Sequence, residues 1–172
     1  VSNSGEKKLV LKEMDVPVSK DGSVIIEVKS CGICGSDIHY WDIGGPEGLV
    51  MGHEFAGTVV DPGIRSDLKV GDRVTQLPLW GPCGECVDCM EGRPHLCKKR
   101  VLPTGTYAVS PGSYAEYFTS VPSLVRKIPE GMTDAEKSSL VAKAFGVEAQ
   151  TGMNVLINQG GDALRNLTKE TQ

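Results

Sequence analysis

A chain of 172 residues with 40% hydrophobic residues, 21 glycines and 10 prolines is long enough to bury one sizeable core and is cut into short segments by turns. Its 18 Lys and Arg against 22 Asp and Glu give a net charge of −4 with no basic stripe of the kind that neutralises phosphates, so nucleic acid is not an expected partner. No run approaches the ~18 apolar residues of a membrane span, and Val1 to Lys8 lacks a signal-peptide core, which makes no membrane association and a cytoplasmic location with reduced thiols the expectation.

In chain order the hydrophobic period is mostly two. Val24, Ile26 and Val28 alternate with Ile25, Glu27 and Lys29, which puts an apolar row and a mixed row on opposite faces of a strand. Further short strands are expected around Phe55 to Asp61, Asp72 to Leu77, Tyr114 to Val121 and Leu124 to Ile128, punctuated by Pro62-Gly63, Gly71-Asp72 and Pro129-Glu130-Gly131. Many short strands between turns predict a mainly β chain with a few helices, built as a barrel or sandwich. Near residue 133 the period changes. Thr133-Asp134-Ala135-Glu136 is a capping box and Leu140, Val141, Ala144 and Phe145 form a helical stripe, so a helix is expected over about 134–147. Residues 1–150 are expected to form one unit and 151–172 a short C-terminal segment.

Three groups of residues carry chemistry. Cys31 and Cys34 form a C-x-x-C; a redox pair of that kind belongs at the strand-to-helix junction of a βαβ unit, whereas the surroundings here read as β and turn. Gly52-His53-Glu54 sets an imidazole beside a carboxylate after a glycine turn, which read alone is an ordinary surface loop. Cys83, Cys86, Cys89 and Cys97 follow a C-x2-C-x2-C-x7-C spacing in a lobe of about 80–100 broken by Gly and Pro. Turns that return the backbone every third residue let four thiolates converge on one tetrahedral ion, a closed structural zinc site. Two disulfides, or four unrelated buried thiols, are the competing readings.

The order Cys34-Gly35-Ser36-Asp37-x-His39, then Gly52-His53-Glu54, then the four-cysteine lobe resembles the zinc-dependent medium-chain alcohol and polyol dehydrogenases, the sorbitol and xylitol branch most closely. The likeness covers about residues 9–141 and includes Val70-Gly71-Asp72-Arg73-Val74 and Gly112-Ser113-Tyr114-Ala115-Glu116-Tyr117. The resemblance implies a GroES-like, partly open β-barrel and the NAD(P)-dependent oxidation of a small-molecule alcohol or polyol to a ketone. It implies that Cys34 and His53 are ligands of a catalytic zinc with Glu54 beside or intermittently on it. Asp37 would orient a ligand, Ser36 would take the substrate proton and His39 would pass it towards solvent. Taken without the resemblance, Ser36 and Asp37 suit turn caps, and His39 and Glu54 suit a solvated surface. Tyr40 and Trp41 suit a substrate-cleft wall and a core equally well.

Two departures from the family restrict these expectations. Aligned through Leu140-Val141, a further acidic or cysteine ligand of the family is replaced by Ala142, followed by Lys143; Glu148 lies about one to two turns further along. After a candidate strand Val155-Leu156-Ile157, the segment Asn158-Gln159-Gly160-Gly161-Asp162 keeps only Gly161 of the G-x-G-x-x-G fingerprint and brings Asp162 where a phosphate should approach. A Rossmann domain is therefore not expected in this chain, nor NAD(P) binding. Three readings remain: a dehydrogenase's zinc-bearing domain with little turnover by itself, a non-catalytic zinc-stabilised binding module, and a nicotinamide-independent zinc lyase or hydrolase. One tightly held zinc in the lobe and a weak or vacant second site are expected. Barrel surface left uncovered would favour a homo-oligomer.

Overall fold

The computed structural model describes residues 2–3, 9–44, 47–77, 81–100 and 111–133. The expected helix over 134–147, Ala142, Lys143 and Glu148, and the segment from Val155 to Gly161 lie outside the described residues.

Strands β1 (Ser2–Asn3) and β2 (Leu9–Val10) form a small antiparallel pair. The main sheet contains β3 (Val24–Cys31), β4 (Phe55–Asp61), β5 (Arg73–Gln76), β6 (Tyr117–Ser120) and β7 (Val125–Lys127). These strands lie in the order β6-β3-β4-β5-β7 with every neighbouring pair antiparallel. The period-two reading holds from Ile26 onward, where Ile26 and Val28 are buried and Glu27 and Lys29 only half-buried, whereas Ile25 of the mixed row is buried like Val24 and Ile26. They join Phe55, Val59, Val74, Phe118 and Val125 in one core, in which the Phe55 and Phe118 rings tilt together with centroids 4.6 Å apart. Such offset aromatic pairs add to the burial of two large side chains.

The sheet is open but curls towards itself. Ser120 on edge strand β6 donates its hydroxyl to Gln76 Oε1 on β5 at 2.9 Å, although these strands are not neighbours, and both residues are buried. Arg65, in the turn after β4, donates from Nη1 to the carbonyls of Pro122 (2.5 Å) and Val125 (3.2 Å), tying that turn to the start of β7. This mostly-sheet, curled arrangement is the mainly β architecture expected.

The stretch after Cys31 departs from the expectation of β and turn: Gly35–Ile43 is a helix, α1. Its apolar side chains gave no core-facing stripe to read, because Ile38 (54%), Trp41 (39%) and Ile43 (62%) are exposed. Local capping holds it instead. The Asp37 carboxylate, at the third helical position, accepts the N–H of Cys34 at the helix N-cap (2.9 Å), and Gly44 ends the helix with φ +73°. No helix among the described residues is long and apolar enough to cross a membrane.

Candidate metal centres

The cysteine lobe is assembled from turns. Gly84 (φ +79°) and Gly92 (φ +76°) take left-handed conformations on either side of a single helical turn, α2 (Val87–Met90), whose N-cap is Cys86. A 3-10 turn over Pro94–Leu96 then brings back Cys97, whose sulfur accepts the Cys83 N–H at 3.4 Å. All six cysteines are free thiols. The Sγ atoms lie 3.9 Å apart for Cys83–Cys89, 3.4 Å for Cys86–Cys89, 3.9 Å for Cys86–Cys97 and 3.6 Å for Cys97–Cys83. A tetrahedral zinc with Zn–S bonds of about 2.3 Å places its sulfurs about 3.8 Å apart, so the quartet has the dimensions of that ion. Backbone N–H groups of Glu85 and Cys86 pull the Cys83 thiol down to about 7, against the effect of burial, whereas burial pushes the Cys89 thiol up to about 12, so the thiolate is favoured at Cys83 and opposed at Cys89.

The second cluster forms where β3 ends and β4 begins. Antiparallel pairing sets Cys31 opposite Phe55, and Gly32 N–H donates to Glu54 O at 2.7 Å, so the residues just after β3 meet those just before β4. Cys34, His53 and Glu54 converge there with their ligand atoms within 4.8 Å of one another, all three buried. Gly52 turns the chain into the pair with φ +92°. Burial works against a charged His53, but Cys34, Asp37 and Glu54 outweigh it and raise its pKa. The Glu54 carboxyl is raised first by burial, with His53 opposing. Glu54 Oε2 is the one buried side-chain oxygen or nitrogen among the described residues that has no hydrogen-bond partner. A thiol, an imidazole and a partnerless carboxylate oxygen together suit a cation such as zinc.

Asp37 stands behind this cluster. It is 5% exposed, and its Oδ1 lies 3.9 Å from His53 Nδ1. Ser36 and His39 are three residues apart on α1 and both exposed, and among the described residues no hydrogen bond ties either one to the cluster. Tyr40 is half-buried and Trp41 39% exposed, so neither is a core residue. Tyr114 lies in the Gly112-Ser113-Tyr114-Ala115-Glu116-Tyr117 segment that resembles the family's, where the sequence assigns it no role, yet its hydroxyl reaches Asp37 Oδ2 at 2.9 Å across 77 positions of sequence.

A curled antiparallel sheet with a four-thiol lobe and a buried Cys-His-Glu cluster beside its first long hairpin is the class of a metal-type β domain with two ligand sets. The model of the alcohol dehydrogenase GroES-like domain matches residues 20–130, and the chain belongs to this family, that of the zinc-dependent medium-chain alcohol and polyol dehydrogenases. Among its relatives, an alcohol dehydrogenase of Geobacillus stearothermophilus is 36% identical over 147 residues, which is 82% of this chain and 42% of the relative. A probable D-xylulose reductase A of Arthroderma otae is 39% identical over 140 residues, 74% of this chain and 37% of the relative. The solved alcohol dehydrogenase of a Thermus species superimposes with a TM-score of 0.66 at 29% identity, over 78% of this chain and 41% of that one. An acetophenone reductase of Geotrichum candidum, solved in complex with NAD, gives 0.66 at 28% identity, over 82% and 42%. The chain thus spans less than half the length of these relatives.

Proposed function

We propose that this chain supplies the zinc-bearing, substrate-handling domain of a dehydrogenase that oxidises a secondary alcohol or polyol to a ketone with NAD(P). The observation that carries the reading is the buried convergence of Cys34, His53 and Glu54, with Glu54 Oε2 left without a partner, in a chain of this family. Three donors and an open position are what a catalytic zinc takes. When bound, such a zinc polarises an alcohol oxygen and lowers its pKa, so that hydride can leave for a nicotinamide. The Cys34 thiolate and His53 imidazole would hold the ion with Glu54 beside or intermittently on it, and Asp37 would orient His53 from behind. Ser36 takes the proton of the substrate hydroxyl and His39 hands it on; both are exposed on one flank of α1, as a relay that ends in water must be. The small-molecule alcohol or polyol class rests on similarity to relatives named alcohol dehydrogenase and D-xylulose reductase. The four-cysteine lobe holds a second, structural zinc.

By itself the chain turns over little alcohol, because the residues after Val155-Leu156-Ile157 keep only Gly161 of the dinucleotide fingerprint. Zinc counting on metal-reconstituted protein tests the assignment. Two equivalents are expected, one tight and one weaker, with Cys34→Ala losing only the weaker and Cys89→Ser only the tight one. A wild-type chain that takes up the lobe zinc alone would make it a zinc-stabilised module without a catalytic centre. Retention of both equivalents by Cys34→Ala would remove the second site from these residues.

A further inference from the structure

The segment after residue 111 contributes no ligand to either cluster, yet it is stitched to every stretch of chain that carries one of Cys34, His53 and Glu54. Gly112 N–H donates to Val50 O (2.8 Å), Ser113 N–H to Gly52 O (2.9 Å) and Tyr114 N–H to Met51 O (2.9 Å), which clamps the segment onto the loop that ends in His53. The Ser113 hydroxyl lies 3.1 Å from the Cys31 sulfur at the end of β3. The Tyr114 hydroxyl donates to Asp37 Oδ2 at 2.9 Å and lies 3.3 Å from Gly32 O. We infer that Tyr114 is a positioning residue for the Cys34, His53 and Glu54 centre: it fixes the Asp37 carboxylate and through it the orientation of His53 and Cys34, and so sets the affinity of that centre for its metal. The inference rests on the metal reading of the cluster.

Three observations carry it. First, Asp37 Oδ2 accepts two hydrogen bonds at once, from Cys34 N–H (2.9 Å) and from Tyr114 (2.9 Å), and with that oxygen held, Oδ1 is the atom that faces His53 Nδ1. A carboxylate buried to 5% exposure takes its orientation from whichever donors reach it, and a neutral phenol steadies it without adding a charge. Second, the chain makes room for this side chain. A Cβ on Gly52 would stand 2.7 Å from Tyr114 Cδ1 and 2.8 Å from its backbone nitrogen, and Gly52 already needs its φ of +92°. Third, the ring of Tyr114 packs against the core cluster, so phenylalanine keeps the packing and removes only the hydroxyl. Carboxylates that orient metal-binding histidines affect metal affinity by roughly 10–100-fold, and a residue one step further out belongs near the lower figure.

Titration of the metal-free chain with Co2+ tests this, because thiolate-to-cobalt absorption reports each cluster and the part lost in Cys34→Ala belongs to the second centre. Tyr114→Phe is expected to leave the lobe signal and the circular dichroism unchanged, to weaken cobalt at the second centre about tenfold and to shift its ligand-field bands. A role limited to packing would move neither the bands nor the affinity ratio of the two centres. In an Asp37→Asn background the same substitution is expected to cost nothing further, since the tyrosine acts through that carboxylate. Equal affinity and spectra in Tyr114→Phe and wild type, an undiminished tenfold loss in the Asp37→Asn background, or a Tyr114→Phe chain that does not fold would each overturn the inference while the metal reading stands. A wild-type chain with no cobalt signal removable by Cys34→Ala would instead sink the metal reading itself, and Tyr114's role with it.

Discussion

Glu54 Oε2 is held out of water with no donor to meet it, in a residue that is 4% exposed. A fold that served stability alone would place an amide or an apolar side chain there, because burial opposes the Glu54 charge and Oε2 lacks a hydrogen bond, even with His53 beside the carboxylate. Glu54→Gln keeps the shape and removes the charge. The metal-free variant is expected to be more stable than the metal-free wild type by about 1–2 kcal/mol in urea unfolding, while its zinc affinity at the second centre falls. A variant that is less stable and binds zinc as well as wild type would mean that Glu54 has a protein partner and no metal. Of the candidate ligands, Cys83 to Cys97 stand out in the sequence by their spacing, whereas Gly52-His53-Glu54 read alone is an ordinary surface loop and is marked only by its place in the family's order of motifs. The Asp37–Tyr114 contact is not legible there: its partners are 77 positions apart, neither residue type is unusual, and it takes the antiparallel pairing of β6 with β3 to bring the segment before β6 against the one after β3.

At the scale of elements, what the sequence reveals is what burial patterns. β6 alternates throughout and β3 and β4 over Ile26 to Ser30 and Gly57 to Val60, because one face meets the core, and the strands appear within a few residues of where the alternation puts them. α1 is invisible to the same reasoning, since its order comes from one carboxylate-to-backbone cap and a left-handed glycine while its apolar residues face outward. One position between β3 and β4 is controlled by backbone contact. A Cβ on Gly57 would lie 2.4 Å from the Glu27 carbonyl oxygen and 2.6 Å from Ile26 Cγ2, in the pairing that aligns Gly57 with Val28. Because the nearer atom belongs to the partner strand's backbone, the strain cannot be relieved by turning a side chain. Gly57→Ala is expected to cost about 2–3 kcal/mol, read as a lower denaturation midpoint, and to loosen the junction where Cys34 meets His53. An unchanged midpoint would show that β3 and β4 can move apart there freely.

The molecule as a whole is held by two kinds of force in two places. The sheet has a continuous apolar core from Val24 through Phe118, whereas among residues 82–100 only Cys97 is buried, and Val87 (70%), Met90 (74%) and Leu96 (48%) stand in solvent. A four-residue helix has no stability of its own, since forming its first turn already costs more than its hydrogen bonds return. On the proposed reading one zinc held by Cys83, Cys86, Cys89 and Cys97 orders the lobe, and folding there would be coupled to metal in a way that folding of the sheet is not. Hydrogen exchange with and without a strong chelator separates the two. In the lobe, the amides of Met90, Glu91 and Cys97, bonded to Cys86 O, Val87 O and Pro94 O, are expected to lose protection when metal is withdrawn. In the sheet, the amides of Val28 and Val59, bonded to Glu116 O and Asp72 O, are expected to keep most of theirs, because their protection reports opening of the hydrophobic core. Replacing Cys89 with Ser should reproduce the lobe's loss in zinc-replete buffer, since three thiolates no longer close a tetrahedron. If lobe amides exchange at the same rate with metal present and absent, the four sulfurs are bystanders, and the lobe owes its shape to contacts that its exposed surface does not provide.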